Sequence, residues 1–372
     1  MCIRDSNMDN YRPSPGTLIS DIETPCLFID MDAMESNFKV IDKTYKDTVC
    51  KMRQHTKNTK SPRLAMMQIN AGGTLNGVCT AKLSEAEVMV EGGITDVLIP
   101  NQIVTEDKIR RLCALQLHGD VKVCVYGEEN TRLISKIASE LGVTVGILIE
   151  VDTSMGRAGV RSSEESVYLA KLITSLPGLK FMGVMSHQHL AEFSTHENRI
   201  AEGIEYMEIC VESKRAIEAE GIHVEMVSSG ETFTIDSAIQ VEGVTEVEGG
   251  TYALMGTRYS YMDDFKIANK VLGTITSIKN DQIAIGDIGT KSFSWPGQEL
   301  PEVETPENIK VVGMHPEKCE LDISNANVQV GDNFVLIPWY QDMLVNRWDQ
   351  YVGIRNNQVE QVIDIPGRGC TQ

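Results

Sequence analysis

The feature that most constrains this sequence is an alternation of short apolar runs with longer amphipathic segments, which begins near Thr24 with CLFID at 26–30. Further runs rich in β-branched residues include DVLIP at 96–100 and VTVGILIEVD at 143–152, and helical periodicity follows each of them. Unbroken alternation predicts a parallel sheet covered by helices. About seven or eight such units over roughly 240 residues favour a closed (β/α)8 barrel of the TIM type over an open sheet.

The rhythm changes near Asp264, where strand-like runs become separated by turns of Gly, Asn, Asp and Pro without a convincing helix between them. This pattern predicts a smaller antiparallel β domain after the barrel. We therefore expect a disordered leader at 1–16, a barrel over 17–264 and a β domain over 265–372. The first residues of the barrel segment are alternatively part of the β domain.

The charge balance limits the partners of the chain. Lys and Arg number 34 against 53 Asp and Glu, a formal charge of −19, which repels a phosphate backbone and argues against nucleic-acid binding. An anionic cofactor must then be held by local devices such as backbone amides. The nine cysteines form no Cys-x-x-Cys pair, and no apolar run is long enough to span a membrane. We therefore expect a cytoplasmic protein with reduced thiols and no membrane partner.

Polar and basic residues crowd the end of the second predicted strand, in CKMRQHTKNTK at 50–60. Function in a (β/α)8 barrel lies where strands end and loops begin. A lysine that points into a barrel mouth loses solvent, which favours the neutral, nucleophilic amine needed for an imine. Taken alone, however, the segment is more typical of a solvated basic loop.

A second segment, EVDTSMGRAGV at 150–160, places Arg157 between two glycines after a strand that ends in acidic residues. A guanidinium held in this way can keep a phenolate oxygen ionised. The alternative is a surface arginine in a turn, which Gly156 and Gly159 make less favourable because they indicate tight backbone geometry.

Two late segments, VSSGETFT at 227–234 and EVEGGTYALMG at 246–256, mix glycine with hydroxyl residues after strand-like runs. Backbone amides and hydroxyls at such turns form an anion cradle, and phosphate sites of barrels follow the last strands. Each turn alone is common, so their joint position carries the prediction. The residues concerned are Ser229, Gly230, Thr232, Gly249, Gly250 and Thr251.

Two histidines, His187 and His189, lie two residues apart where a strand is predicted to end, so that both face the same side if the strand continues. A metal pair, a contact with a cofactor and a plain polar loop are all compatible with this spacing. In the β domain, Tyr340 and Asp342 have the same spacing and are predicted to lie on one side of a strand, where they can supply an acid or a base. The alternative is an edge strand with a packed aromatic residue.

Taken together, these segments resemble the fold-type III pyridoxal phosphate enzymes, and within them the D-threonine aldolase and D-serine dehydratase branch of the alanine racemase superfamily. The resemblance runs from TPCLFIDMDAMESN at 24–37 to the terminal PGRG at 366–369. The family's lysine motif is Arg-Pro-His-x-Lys-Thr-His-Lys, and here it reads RQHTKNTK at 53–60. VSSGETFT and GGTYALMG resemble the two phosphate segments of the family.

The resemblance implies that Lys57 is the Schiff-base lysine and that Arg157 faces the cofactor phenolate. It also implies Asp342, Tyr340 and His189, in that order, as candidates for base and acid. The residues that it places at pyridoxal 5′-phosphate are His55, Lys57, Arg157, His187, Ser229, Gly230, Thr232, Gly249, Gly250, Thr251 and Tyr252.

One departure from the family concerns a divalent metal ion. Members of this branch carry a His followed two residues later by Cys or Asp, and these bind the ion near the β-hydroxyl of the substrate. The matching stretch here is PWYQD at 338–342, in which Tyr340 replaces the histidine. A neutral phenol is a poor ligand beside imidazole, so Asp342 alone can hold only a weak, water-rich ion.

The implied function is a lyase that cleaves β-hydroxy D-amino acids, with retro-aldol cleavage to glycine and an aldehyde ranked first. A dehydratase acting on D-serine or 3-hydroxyaspartate is the alternative, and Tyr340 adds a racemase as a third. A vitamin B6 carrier lacks the β domain, and a metal-dependent hydrolase needs more strand-end ligands than the seven histidines offer. The resemblance also implies a homodimer in which Tyr340 and Asp342 act in the partner's barrel mouth.

Overall fold

The computed structural model describes residues 11–189, 195–295, 297 and 299–372. They form two compact units, one of which contains the chain up to Asn37 together with Ala253–Arg368, and the other Phe38–Tyr252 together with Gly369–Gln372. Of the leader expected at 1–16, residues 1–10 lie outside the described residues. In the remainder, Gly16 N donates a hydrogen bond to Val359 O at 2.8 Å, so this part contacts the strands of its unit.

The chain begins with strand β1 (Cys26–Asp30) and helix α1 (Met31–Tyr45), and Asp30 Oδ1 caps the helix by accepting from Ala33 N at 3.0 Å. Eight strands then close into a barrel in which every neighbouring pair is parallel. They are β2 (Lys51–His55), β3 (Thr74–Cys79), β4 (Asp96–Ile99), β5 (Asp120–Val125), β6 (Val145–Glu150), β7 (Leu179–Ser186), β8 (Met226–Ser229) and β9 (Glu246–Val247).

A helix follows each of the first seven barrel strands, as the alternation of the sequence predicts. Local signals set their ends: Ser162 and Thr195 cap two of them through their hydroxyls, and Gly142 adopts φ +67° after a third. The helices are α2 (Pro62–Ala71), α3 (Leu83–Glu91), α4 (Glu106–Leu115), α5 (Glu128–Leu141), α6 (Ser163–Ser175), α7 (His196–Ala219) and α8 (Ile235–Ala238). In the part of the chain that the structure describes, no helix is long and apolar enough to cross a membrane.

The barrel interior has an apolar layer and, towards the amino ends of the strands, a charged layer. The apolar layer is a cluster of Leu98, Cys124, Leu148, Met182, Met185 and Met226. In the charged layer Arg53 contacts Glu246 and Asp96, and Lys122 contacts Asp96 and Asp120. This end of a barrel usually serves stability, whereas the carboxyl ends of the strands carry function.

The other unit is built on a nine-stranded sheet in which β1 occupies a central position. Its neighbours are antiparallel β10 and parallel β16. The sheet buries Cys26, Phe28, Leu272, Val335, Val352 and Val359 among others. The remaining elements are β10 (Asn269–Asn280), β11 (Ile283–Gly286), β12 (Glu302–Thr305), β13 (Lys310–Met314), β14 (Cys319–Asp322), β15 (Asn333–Ile337), helix α9 (Gln341–Val345), β16 (Gln350–Arg355) and β17 (Gln358–Asp364).

The structure confirms the barrel and the separate sheet, and it places the first strand in the sheet unit, the alternative that the sequence left open for the first residues of the barrel segment. CLFID heads the β–α alternation, yet β1 pairs in the sheet and the barrel closes through β2–β9. The physical reason is that a short apolar run specifies an extended conformation but not its partner strand. The sheet unit also contains the short helix α9, where the sequence indicated strands alone.

Candidate active site

Lys57 lies in a short turn of 3₁₀ helix, Thr56–Asn58, that follows β2 directly. The turn is fixed locally because His55 Nδ1 accepts a hydrogen bond from Lys57 N at 3.4 Å and Thr56 Oγ1 donates to Cys79 O at 3.1 Å. Both His55 and Thr56 are buried, whereas Lys57 is half-buried. The predicted lysine therefore lies at the carboxyl end of a barrel strand, on a turn that its neighbours hold in place.

Two histidines share the electrostatic environment of Lys57. Burial, followed by the nearby charges of Lys57 and Arg157, lowers the pKa of His187 to about 3. Burial and then Lys57 also lower the pKa of His55 well below its usual range. Both imidazoles are therefore neutral at physiological pH. Because Lys57 acts on both histidines and Arg157 acts on His187, the structure brings these four side chains into one region of the barrel mouth.

Arg157 is held on the loop after β6, where its side chain is 54% exposed. Its Nη2 lies 4.0 Å from Oε1 of Glu150, the last residue of β6. Gln102 Nε2 donates a hydrogen bond to the other oxygen of the Glu150 carboxylate. Burial raises the pKa of Glu150, which the hydrogen bond from Gln102 and the charge of Arg157 oppose. The loop thus offers a guanidinium with one loosely placed carboxylate beside it.

The two predicted phosphate turns follow β8 and β9, which are adjacent in the barrel. Ser229 Oγ lies 2.7 Å from Ser186 Oγ at the end of β7. Thr232 Oγ1 accepts a hydrogen bond from Tyr252 N at 3.3 Å, which connects the first turn to the second. The second turn also contacts β2, because His55 N donates to Gly249 O at 2.8 Å. These turns and Lys57 therefore belong to one hydrogen-bonded end of the barrel.

Two glycines of these turns have no room for a side chain. A Cβ on Gly250 would lie 2.0 Å from Asn58 Oδ1 and 2.3 Å from His55 O. Gly230 has φ +111°, and a Cβ there would lie 2.6 Å from Met207 Cε. The backbone can therefore approach its neighbours closely only because both positions are glycine.

The two histidines of SHQHL do not share a face, contrary to the expectation. Strand β7 ends at Ser186, so the alternation of a strand does not continue through 187–189. His187 is half-buried and its Nε2 lies 3.9 Å from Glu231 Oε2, whereas His189 is exposed and its backbone N donates to Ser154 Oγ at 2.9 Å. The interpretation as a metal pair loses its geometric basis.

Tyr340 and Asp342 lie in the sheet unit, and the expectation that they point to one side of a strand is wrong. Strand β15 ends at Ile337, Pro338 follows, and Tyr340 precedes helix α9. Pro338 has no amide hydrogen to continue the ladder, and its carbonyl accepts from Thr257 N at 3.0 Å. The phenol of Tyr340 donates to Asp342 Oδ2 at 2.6 Å.

This donor set does not fit a divalent ion. Burial, and then the charge of Asp342, raise the pKa of Tyr340, so its oxygen keeps its proton and is a poor ligand. One oxygen of Asp342 already accepts that proton. Within the described ranges, no group of three or more His, Cys, Asp or Glu side chains is arranged to hold a metal.

The barrel mouth does fit pyridoxal phosphate. It presents a half-buried primary amine, a guanidinium, neutral imidazoles and two glycine turns whose backbones a side chain would displace. The sequence did not indicate that Gln102 and Glu150 lie beside Arg157, or that Glu248 lies beside the glycine turns. Glu248 had a detectable signal, since it follows Glu246 by two residues directly before a pair of glycines.

The fold is that of an alanine racemase-like protein. The chain belongs to the alanine racemase family: the model for the alanine racemase N-terminal domain matches residues 29–258, and that for a putative serine dehydratase domain matches residues 268–354. The family consists of pyridoxal-phosphate-dependent enzymes.

Several of the similar proteins are aldolases by name. A 3-hydroxy-D-aspartate aldolase of Paracoccus denitrificans (strain Pd 1222) is 33% identical, with 95% of this chain and 94% of that protein covered. A D-threonine aldolase of Arthrobacter sp is 27% identical, with 96% of each chain covered. Among solved structures, a D-threonine aldolase from Filomicrobium marinum superposes with a TM-score of 0.90 at 27% identity, over 97% of this chain and 100% of that one.

Proposed function

We propose that this protein is a pyridoxal-phosphate-dependent lyase that cleaves β-hydroxy D-amino acids to glycine and an aldehyde. The observation that carries the proposal is the convergence of Lys57, Arg157 and two glycine turns at the carboxyl end of one barrel. Full-length similarity to two aldolases of hydroxy D-amino acids supports the same reaction.

The residues have the following proposed roles. Lys57 holds the cofactor covalently through its amine, Arg157 stabilises the phenolate, and neutral His55 and His187 contact the cofactor ring. The phosphate is held by Ser229, Gly230, Thr232, Gly249, Gly250, Thr251 and Tyr252.

The bound cofactor supplies an electron sink that accepts the electron pair left on the substrate's Cα. The protein must then remove the proton of the β-hydroxyl as the Cα–Cβ bond breaks, and return a proton to Cα to give glycine. We assign the base to Asp342 with Tyr340 as the associated acid, and we keep His189 as the third candidate. Because the pair does not fit a divalent ion, we expect the reaction to proceed in the presence of a strong chelator.

A dehydratase is the second candidate, because the serine dehydratase domain matches residues 268–354. A D-threo-3-hydroxyaspartate dehydratase from Delftia sp. (strain HT23) is also 29% identical over 73% of each chain. In that reaction the Cα proton is lost and the β-hydroxyl leaves as water, and the released enamine tautomerises to an imine that a water molecule hydrolyses to a keto acid and ammonia.

A substrate panel separates these reactions. Purified protein loaded with pyridoxal phosphate is incubated with D-threonine, 3-hydroxy-D-aspartate, D-serine and D-alanine, each with and without chelator. Glycine plus an aldehyde supports the aldolase, a keto acid plus ammonia supports the dehydratase, and L-alanine from D-alanine supports a racemase.

The cofactor assignment has its own test. We expect a visible absorption band in the loaded protein that is lost in Lys57→Ala but kept in Lys46→Ala, a control at an exposed lysine of the same unit. The absence of any band in the wild-type protein after addition of the cofactor would refute the proposal.

A further inference from the structure

A buried carboxyl group, that of Glu248, lies beside the two phosphate turns and has no role in the reaction proposed above. Its residue is 6% exposed. Oε2 accepts a hydrogen bond from Cys79 Sγ at 3.0 Å, and Oε1 accepts one from Ser228 Oγ at 2.8 Å. Cys79 ends β3 and Ser228 lies in β8, so the carboxyl group connects the end of β9 with two other strands of the barrel.

The position of this carboxyl group in the chain relates it to both turns. Glu248 directly precedes Gly249, and Ser228 directly precedes Ser229. The hydrogen bond between them therefore lies one residue before each turn, whereas the bond from Tyr252 N to Thr232 Oγ1 lies within the turns. One hydrogen bond thus joins the residues just before the two turns and the other joins residues within them, and together they set the distance between the turns.

The described cation that acts on Glu248 is already paired with other carboxylates. Arg53 is the nearby cation, but it pairs with both oxygens of Glu246, at 2.8 and 2.9 Å, and with Asp96 at 3.1 Å. Three described thiols also interact electrostatically with Glu248, those of Cys79 on β3, Cys124 on β5 and Cys210 on α7.

These surroundings favour the protonated carboxyl. Burial, with a further contribution from Glu246, raises the pKa of Glu248 to about 7, against the opposing hydrogen bonds of Cys79 and Ser228 and the charge of Arg53. Both protonation states are therefore accessible near neutral pH. An ionised carboxylate here would add a buried negative charge next to two turns that bind an anion.

We propose that Glu248 is a positioning residue that holds the two phosphate turns together through these two hydrogen bonds and weakens phosphate binding when it ionises. This inference rests on the proposed function, since it concerns the same turns. On ionisation the proton passes to solvent, and the carboxylate keeps its two hydrogen bonds while repelling the phosphate dianion.

The test uses pyridoxine 5′-phosphate, which has the ring and the phosphate of the cofactor but no aldehyde to react with Lys57. Calorimetry measures its dissociation constant between pH 6 and pH 8.5 for the wild type and for Glu248→Gln, whose amide stays neutral. We expect equal affinities at pH 6 and roughly tenfold weaker binding by the wild type at pH 8.5, from one like charge at short range. Ionisation of the ligand phosphate is common to both proteins and cancels.

Two further variants make the result specific. Ser228→Ala removes a hydrogen bond that favours the carboxylate, so the loss of affinity should move to higher pH. Glu225→Gln, at an exposed carboxylate just before β8 that pairs with Lys180, should keep the wild-type profile. If Glu248→Gln does not fold, the shift in Ser228→Ala decides the question.

The outcomes separate this inference from the proposed function. Measurable binding with parallel pH profiles in wild type and Glu248→Gln would overturn the role of Glu248 and leave the cofactor assignment intact. An unshifted profile in Ser228→Ala would overturn it as well. If the wild type binds no pyridoxine 5′-phosphate at any pH, the proposed function fails, and this inference fails with it.

Discussion

Two basic residues close together in the chain have opposite surroundings: Arg53 in the middle of β2, and Lys57 in the turn that follows it. Arg53 is 2% exposed, with its guanidinium paired to Glu246 at 2.8 Å and to Asp96 at 3.1 Å. Lys122 extends the same layer through Asp96 at 2.9 Å. Lys57 is half-buried, and its amine forms no ion pair with any residue that the structure describes.

The difference shows how one strand serves both stability and chemistry. At the amino end, each buried cation is matched by carboxylates, so the layer has little charge left to offer a ligand. At the carboxyl end, Lys57 lies among neutral imidazoles, and among the described residues Arg157 forms an ion pair only with Glu150, at 4.0 Å. Positive charge in the mouth therefore remains available for an anionic cofactor, although the chain as a whole carries −19.

The largest expected effect is a loss of stability at the amino end. Arg53→Met leaves the buried Glu246 without its cation and Asp96 with Lys122 alone, and the loss of one partner of a buried pair typically costs about 3–5 kcal/mol. Lys57→Met breaks no ion pair of the described residues, so it should change the free energy of unfolding by less than about 1 kcal/mol. Urea denaturation followed by far-ultraviolet circular dichroism, which reports chiefly on the helices of the barrel unit, measures both. Equal losses would contradict the division between the two ends.

The second effect is on turnover and not on folding. Arg157→Met should lower kcat by roughly 100-fold, the usual cost of removing a donor that stabilises developing charge. The free energy of unfolding should hardly change, because the side chain is 54% exposed. Arg161→Met is the matched control, since Arg161 is 70% exposed on the same loop and pairs with Asp152 at 3.5 Å. A comparable loss of kcat in the control would assign the effect to the loop and not to Arg157.

The third effect tests whether the mouth also contains residues that the fold requires. Gly250→Ala places a Cβ 2.3 Å from the His55 carbonyl, which cannot move without displacing β2. We expect a loss of about 1–3 kcal/mol in the free energy of unfolding, together with weaker cofactor binding. Gly127→Ala is the control, because a Cβ there meets nothing within 4 Å. A harmless Gly250→Ala would mean that the turn can move away.

Much of the architecture was predictable because it rests on local patterns. Alternating apolar runs and amphipathic segments predicted the barrel and the later sheet. Strand-end positions drew attention to the segments of Arg157 and the glycine turns, whereas Lys57 was assigned only through the resemblance to a known family. The sequence left open whether β1 belongs to the barrel or to the β domain, since a strand of five residues does not encode its neighbour.

The errors at Tyr340, Asp342, His187 and His189 share one cause. Each prediction assumed that a strand continued through the residues concerned, whereas β15 ends at Ile337 and β7 at Ser186. Strand ends depend on where the hydrogen-bonding partner stops, which is a property of tertiary structure. Sequence spacing alone therefore assigned side chains to a common face that the backbone does not provide.

The smallest expected effect compares a carboxylate from each end of the barrel. Burial raises the pKa of Glu150 at the mouth, so over the pH range just above its ordinary value the folded protein keeps a proton that the unfolded chain has lost. The free energy of unfolding then falls as pH rises through this range. Glu150→Gln should therefore become more stable relative to wild type between pH 4 and pH 8, by less than about 1 kcal/mol.

Asp96 lies towards the amino ends of the barrel strands. Burial raises its pKa too, but the charges and hydrogen bonds of Arg53 and Lys122 outweigh burial, so that the pKa of Asp96 is lowered. Asp96→Asn should therefore show the opposite slope, with a deficit that shrinks as the pH falls. Urea midpoints across this pH range measure both pH dependences. If stability relative to wild type changed with pH in the same direction in both variants, the carboxylates at the two ends of the barrel would not differ in how well nearby cations offset their burial.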